Sequence, residues 1–303
     1  MEPTTEVPVG TVVVGYDGSD HSEYALRWAA DEADLDGRAL TIVTVVNPLS
    51  GYELSVLSGG WTPPNDIRKA IWEHAREQLE TAKAGLHQSM PDLQVHVLLR
   101  EGDARQVLLE LAENAASLFV GSRGRGALKS LLLGSVSVAV ARASACPVFV
   151  IRPQEPGHER HGVLVGTDCS EQTRPTLEFA YRQAALRDLP LTVMYCVGGV
   201  ETMYGLCSVL DDDAVGYDDE RRALAEAVSG MGEKFPEVKA RLRVAHGVAD
   251  VCLVQESEHM DLVVVGHHRG KSVGDLVRLG SFVAPVVESA ACAVAVAVDR
   301  RSS

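Results

Sequence analysis

The chain lacks any run of about 18 or more apolar residues, so no segment reads as a membrane-crossing helix. Basic residues are scarce: 28 Lys and Arg stand against 42 Asp and Glu, a formal net charge of −14. A surface of that sign repels phosphate backbones, and duplex or other nucleic-acid binding is not expected. Single nucleotides stay open, because local backbone N–H groups bind phosphate whatever the total charge. Cys-x-x-Cys pairs are absent. Cys146, Cys169, Cys196, Cys207, Cys252 and Cys292 are scattered, the pattern expected of reduced, mostly buried thiols in a cytoplasmic protein rather than a zinc site or disulfide frame. The opening "MEPTTEVPVGTVVVGYDGS" has no basic stretch followed by an apolar one, so a secretion signal is not expected.

What the chain does contain is a repeat. "TVVVGYDGSDHSEYALRWAADEA" (Thr11–Ala33) recurs as "GVLVGTDCSEQTRPTLEFAYRQA" (Gly162–Ala184). "LFVGSRGRGALKSLLLGSVSVAVARASACPVFVI" (Leu118–Ile151) recurs as "VVVGHHRGKSVGDLVRLGSFVAPVVESAACAVAV" (Val263–Val296). The copies keep their order, Asp17 matching Asp168 and Ser135 matching Ser281. A chain of 303 residues therefore reads as two homologous domains, 9–152 and 161–299, joined by the Pro-, Gly- and charge-rich "RPQEPGHERHG" (Arg152–Gly162).

Each half alternates short apolar runs with amphipathic segments. Continuous runs such as that in "PVGTVVVGYD" suit parallel strands buried on both faces. Ser19 and Asp20 are N-cap candidates for a helix carrying Tyr24, Ala25, Trp28 and Ala29 at helical spacing. Further strands are expected at Ala39–Val46, Leu93–Arg100, Ser117–Gly121 and Pro147–Ile151. A helix should run from about Asp66 to Gln88, another should be capped by Asp103, and a third should span Ser135–Ala145. In the second half the strands fall near Gly162–Gly166, Leu191–Val197, Lys239–Ala245, Leu262–Gly266 and Cys292–Val298. The expected fold class is α/β: two tandem, doubly wound, five-stranded parallel sheets of Rossmann-like type. The last strands of the two halves, otherwise open sheet edges, are expected to dock with pseudo-two-fold symmetry.

Ligands in such sheets bind beyond the carboxyl ends of the strands, where strand order reverses. Asp17 follows the first strand, Val45 lies near the end of the second, and Gly121 to Ser137 follow the fourth. Gly121, Gly124, Gly134 and Ser135 keep the spacing Gly-x2-Gly-x9-Gly-Ser. Glycines permit positive φ and close backbone approach. Gly134-Ser135 precede a helix whose free N–H groups attract an anion, and the Ser135 and Ser137 hydroxyls add donors. A polyphosphate suits that arrangement.

On these residues the halves resemble the universal stress protein domain in its ATP-binding branch, whose signature is Gly-x2-Gly-x9-Gly-Ser/Thr. The resemblance implies ATP, with or without Mg2+. It implies Asp17 on the adenine or ribose side, Val45 at adenine through its backbone, and Gly121 and Gly124 along ribose and phosphates. Gly134, Ser135, Val136 and Ser137 would surround the phosphate tail. The implied role is a nucleotide-dependent regulator or sensor of stress. Two alternatives stay open, a slow ATPase and a partner-binding scaffold with one working site; a homodimer is left open too.

In the second half, Gly266 and "GKS" at 270–272 come one residue short of a P-loop. The segment instead occupies the place of "GSRGRGA". Nine residues separate Gly270 from Gly280, as they separate Gly124 from Gly134, but Gly266 lies one residue too far upstream. Val283 replaces the Ser137 hydroxyl, and Pro285 removes an N–H from the early helix. Asp168, Gly266, Gly270, Gly280 and Ser281 thus form a weaker second site. His267 and His268 read as solvent-facing rather than metal ligands, and "LDDDAVGYDDERR" (Leu210–Arg222) as a solvated acidic loop. Asp17 is also a natural turn residue. Arg123, Arg125 and Lys129 stand open between phosphate contact and simple solvation. The long segment Asn47–Pro64 is expected to be a flap beside the first site.

Overall fold

The computed structural model describes residues 7–47, 65–124, 133–153, 161–198, 207–211, 214–267 and 283–298. Contacts divide the chain into two units, Met1–Cys146 and Pro147–Ser303. In the first, β1 (Val12–Gly15), β2 (Leu40–Val46), β3 (Val95–Glu101) and β4 (Ser117–Gly121) lie parallel in the order β3-β2-β1-β4. Val12, Val13 and Val14 are wholly buried, which explains their unbroken apolar run: both faces of the strand are covered. Each such side chain contributes about 1.5–3 kcal/mol of hydrophobic stabilisation.

Helix α1 (Asp20–Leu35) packs on β1 and β4, and α2 (Asn65–Ser89) on β2 and β3. The start of α1 is set by Ser19, whose hydroxyl accepts from the Ser22 N–H at 3.3 Å; its buried stripe includes Ala25, Leu26, Ala29 and Ala33. Asp103 caps α3 (Ala104–Ala112) by accepting from Arg105 N at 2.8 Å, and α4 (Ser135–Ala143) follows β4. The Arg105 guanidinium on Asp103 holds that exposed carboxyl low, at about 2.

The second unit begins with β5 (Val148–Ile151). Its parallel strands are β6 (Val163–Thr167), β7 (Leu191–Val197), β9 (Ala240–His246), β10 (Leu262–His267) and β11 (Ala293–Val298), in the order β11-β10-β6-β7-β9. Two antiparallel strands flank them: β5 on β11, and β8 (Ser208–Val209) on β9. The helices are α5 (Arg174–Leu186), α6 (Asp218–Ala227), α7 (Met231–Lys234), α8 (Ala249–Glu256) and α9 at 283–289.

The strand expected last in the first half, β5, pairs antiparallel with β11, the strand expected last in the second half. The division by contacts puts β5 in the second unit. Val148, Phe149 and Val150 pair with Val296, Ala295 and Val294, Phe149 meets the Phe179 ring at 6.0 Å, and Arg152 donates to the Val287 and Glu288 carbonyls. Strand β8, two residues long, is too short for any periodicity to announce it. The thiols also depart from the sequence reading: Cys207 and Cys252 are joined in a disulfide, with Cα atoms 5.1 Å apart across a separation of 45 residues. Cys146, Cys169, Cys196 and Cys292 are not in disulfides. Denaturing the protein without reductant and alkylating it should therefore label four cysteines per chain, and six after reduction. Six labels before reduction would refute the pairing.

Of the expected flap, only Asn47 lies among the described residues; Gly270, Gly280, Ser281, His268, Arg125 and Lys129 lie outside them. Among the described residues no helix is long and apolar enough to cross a membrane.

Gly162, at the entry to β6, has φ +106°, and a Cβ there would stand 2.1 Å from the Pro190 carbonyl oxygen. That oxygen already accepts from Val163 N at 2.9 Å, so it has little room to move. Gly216 also has positive φ, +94°, but a Cβ there meets nothing within 4 Å. Gly162→Ala should cost more than the ~1–2 kcal/mol of backbone strain expected for Gly216→Ala. Urea unfolding of both variants checks this; equal losses would contradict the clash.

Candidate nucleotide site

The chain leaves β1 toward β2 on one side and later returns to β4 on the other, so strand order reverses at β1 and β4. A cavity of about 660 Å³ opens beyond the carboxyl ends of β1, β2 and β4. Asp17, Val45, Gly121, Gly124, Gly134, Ser135, Val136 and Ser137 all line it. Eight residues drawn from three separate stretches of sequence thus meet at one concavity.

Asp17 sits in the turn after β1. Its Oδ1 accepts from the Ser19 N–H at 3.0 Å and from the Ser19 hydroxyl at 2.6 Å. Gly18 between them takes φ +72°, which suits glycine in this tight turn. The capping turn and the cavity wall are therefore the same residues, and the two readings of Asp17 coexist. Val45 lies on β2, paired with Arg100 of β3, with its strand forming the opposite wall.

The glycines work differently from the sequence expectation. Neither Gly121 nor Gly124 has positive φ. A Cβ on Gly121 would stand 2.7 Å from the His21 carbonyl carbon, so this glycine lets α1 press onto the end of β4. A Cβ on Gly124 would stand 2.7 Å from Asp17 Oδ2, so this one leaves room for the carboxylate. Close approach is indeed their purpose, but the partners are protein groups. Gly134 is freer: its Cβ would meet only ordinary contacts, the nearest at 3.6 Å.

Gly134 is the N-cap of α4 and supplies no side-chain cap, which leaves the first-turn N–H groups without a side-chain acceptor. Its own N–H donates to Ser122 O at 2.8 Å. Ser135 is exposed at the cavity, whereas Ser137 is buried, its hydroxyl donating to the Gly121 carbonyl at 2.7 Å. Ser137 therefore fastens α4 to β4 and does not offer its proton to a ligand, a correction to its expected role as a donor.

Several lining residues escaped the sequence reading. Thr44 donates to the Tyr16 carbonyl at 2.7 Å, the Tyr16 hydroxyl donates to Glu23, and both residues line the cavity. Ile71, His74 and Gln78 line it from α2. Their i, i+3, i+7 spacing marks one helix face and was the available signal.

In the second unit Asp168 occupies the matching turn after β6, with Oδ1 accepting from Ser170 N at 2.9 Å. Cys169 takes the place of Gly18 and is held at φ +62°, a conformation costly for a side chain with a Cβ. Burial first, then the Asp168 charge, pushes its thiol up to about 11. Burial and Asp250 push Cys196 to about 12. Gly266 lies in β10, and the buried Val283 stands where Ser137 stands in the first half, with a side chain that has no hydroxyl to donate. The cavity of about 700 Å³ found in this unit lies elsewhere, near the amino ends of β7 and β9, lined by Pro190, Thr192 and Arg241 among others.

The model of the universal stress protein family matches residues 8–152 and, a second time, 159–297. The chain belongs to the universal stress protein family. A universal stress protein of Mycolicibacterium smegmatis is 30% identical over 298 residues, covering 95% of this chain and 97% of that one. Universal stress protein Rv2005c of Mycobacterium tuberculosis is 33% identical over 297 residues, covering 94% and 96%. Among solved structures, a universal stress protein from Archaeoglobus fulgidus superposes with a TM-score of 0.65 over 96% of this chain and 97% of that one. At 18% identity, that likeness bears on the fold alone. The family is thus carried in tandem form, along the full length of these relatives.

The two serines at the cavity separate stability from ligand contact. Ser137→Ala should cost about 1–3 kcal/mol, because a buried hydrogen bond goes and the Gly121 carbonyl loses its partner. Ser135→Ala, at an exposed position, should stay within about 0.5 kcal/mol of the parent. Chemical denaturation of the two without ligand decides it, and equal effects would contradict these roles.

Proposed function

We propose that this universal stress protein binds ATP in the cavity of its first half and acts as a nucleotide-dependent regulator or sensor. The observation that carries the reading is the convergence of Asp17, Val45 and the whole Gly-x2-Gly-x9-Gly-Ser segment ends on one cavity at the switch point. Its chemistry fits a nucleotide. Asp17 offers a carboxylate for ribose hydroxyls or adenine, β2 offers backbone at Val45, and the uncapped start of α4 offers N–H groups to phosphate. Among the described residues lining the cavity, Asp17 is the one carboxylate. Among the described residues no cluster of three or more His, Cys, Asp or Glu could hold a metal. Any Mg2+ would therefore arrive on the phosphates, held mainly by them and by water.

The proposed domain borders are 9–152 and 161–299, with the second domain the weaker nucleotide binder and the protein cytoplasmic. Three substitutions weaken it: Cys169 for Gly18 in the Asp turn, Val283 for Ser137, and Pro285 in the early helix.

Mass analysis of ligand released from freshly purified, denatured protein should find an adenine nucleotide. Calorimetric titration should then give one tight ATP site per chain. Ser135→Ala should weaken it about ten- to a hundred-fold, the worth of a hydrogen bond to a charged group. Ser281→Ala should leave it nearly unchanged. Two tight sites per chain, or equal losses from both variants, would contradict the asymmetric reading.

A further inference from the structure

The bridge between Cys207 and Cys252 joins two elements of unequal hold. Cys252 lies in α8 and is wholly buried, as is its neighbour Leu253. That helix is set firmly on β6: a Cβ on Gly166 would stand 2.9 Å from Leu253 Cδ1, so only glycine lets α8 lie so close. Gly15 admits Leu108 of α3 in the same way in the first half, which puts Val107 at the place of Cys252. An aliphatic side chain serves there, and the fold does not require a cysteine.

Cys207 is only half-buried and leads directly into β8. Two residue pairs hold that strand, Ser208 with His246 and Val209 with Ala245, and the Leu210 N–H donates to the Val244 carbonyl at 2.9 Å. Ser208 and Asp211 are exposed, and Val209 and Leu210 are half-buried. So short an edge strand, with so little apolar surface covered, is marginal by itself. From Asp211 onward a different helix takes over: Arg221 of α6 donates to the Asp211 and Ala214 carbonyls at 3.0 and 2.8 Å. The bridge thus adds a covalent tie where the non-covalent ones are few. What it ties down has a use, because Val209, Leu210 and Asp211 form part of the lining of the cavity of about 700 Å³ in this unit.

The two sulfurs also differ in their chemistry. A thiolate needs open access to the sulfur that it attacks, and Cys207 is the more exposed partner. Cys252, once reduced, has an acceptor in place for its S–H, the His246 carbonyl oxygen 3.7 Å from Sγ. The chain's other thiols are poor rivals for the attack. Burial, then the Asp168 charge, pushes Cys169 up to about 11, and burial, then Asp250, pushes Cys196 up to about 12. Cys146 and Cys292 are wholly buried. Thiols that stay protonated near neutral pH, or lie out of reach, do not attack.

We propose that Cys207–Cys252 is a thiol–disulfide exchange site, attacked at Cys207 by an external dithiol, whose redox state decides whether β8 stays fastened to α8 as a wall of that cavity. One thiolate of the dithiol bonds to Cys207 Sγ; the bond to Cys252 breaks, and Cys252 Sγ leaves with the electron pair and takes up a proton. The second thiolate of the dithiol then attacks the dithiol sulfur of the mixed disulfide and displaces Cys207, which is protonated in turn. The bridge gains two electrons, and the dithiol loses them and closes on itself as a disulfide. An oxidised dithiol runs the same steps backward. The inference stands apart from the nucleotide reading of the first half.

The test uses the folded full chain. Dithiothreitol in native buffer should open the bridge, so that alkylation labels Cys207 and Cys252 while the far-ultraviolet circular dichroism is unchanged. Hydrogen exchange at Leu210 should then become faster by about ten-fold or more, with the amides of α6 and α8 keeping their rates. Glutathione, a monothiol, should stop at the mixed disulfide, and peptide mapping after acid quench should place it on Cys207. Cys252→Val, which copies Val107, should show the faster Leu210 exchange without reductant and no further response to it. Cys207→Ser should behave alike and serves where the first variant does not fold. A bridge that resists dithiothreitol until the chain is denatured, or a chain that forms no bridge even with oxidised dithiothreitol, overturns the proposal. So does reduction that unfolds the unit, a glutathione adduct mainly on Cys252, or Leu210 exchange indifferent to reduction.

Discussion

Two hydrogen bonds fix the geometry on which the first half's cavity depends. Ser137 Oγ donates to the Gly121 carbonyl at 2.7 Å, and Gly134 N donates to Ser122 O at 2.8 Å. Together they clamp the first turn of α4 against the end of β4. Without the clamp the first-turn N–H groups of α4 would have no fixed direction, and an anion site made from backbone depends on that direction. The glycines complete the fit: Gly121 admits His21 of α1, and Gly124 admits the Asp17 carboxylate. The spaced glycine motif is therefore as much a packing device as a ligand cradle.

The same clamp accounts for the divergence of the halves. Val283 fills the buried position of Ser137 and supplies packing in place of a donor. Cys169 replaces Gly18 in a left-handed turn that favours glycine. The second half retains strand order, parallel pairing and Asp168, so the fold survives while the local chemistry changes. Parallel strands depend on two-sided burial, which Val263, Val264 and Val265 meet as fully as Val12, Val13 and Val14.

Much of this was legible in the sequence because it has strong local signals. Unbroken apolar runs marked the parallel strands; Ser19 and Asp103 marked helix starts; the repeat marked two domains. The candidate cavity was legible because a long, spaced motif carries more information than single residues. The rest had no local signal. Strand β8 exists by pairing with β9, far away in sequence. Cys207 and Cys252 meet across 45 residues without a motif. That Ser137 is spent on a carbonyl, while Ser135 two residues earlier is exposed, depends on helix phase relative to β4 and needed coordinates.

The central claim is that one adenine nucleotide lies against Asp17, Val45 and the start of α4. Photolabelling with 8-azido-ATP, followed by peptide mapping, tests it most directly. The account predicts label on first-half peptides that border the cavity, chiefly those carrying Val45, Ile71 to Gln78 or Gly121 to Ser137, and its loss when excess ATP competes. Label of equal yield in the second half, or label that ATP does not displace, would contradict it.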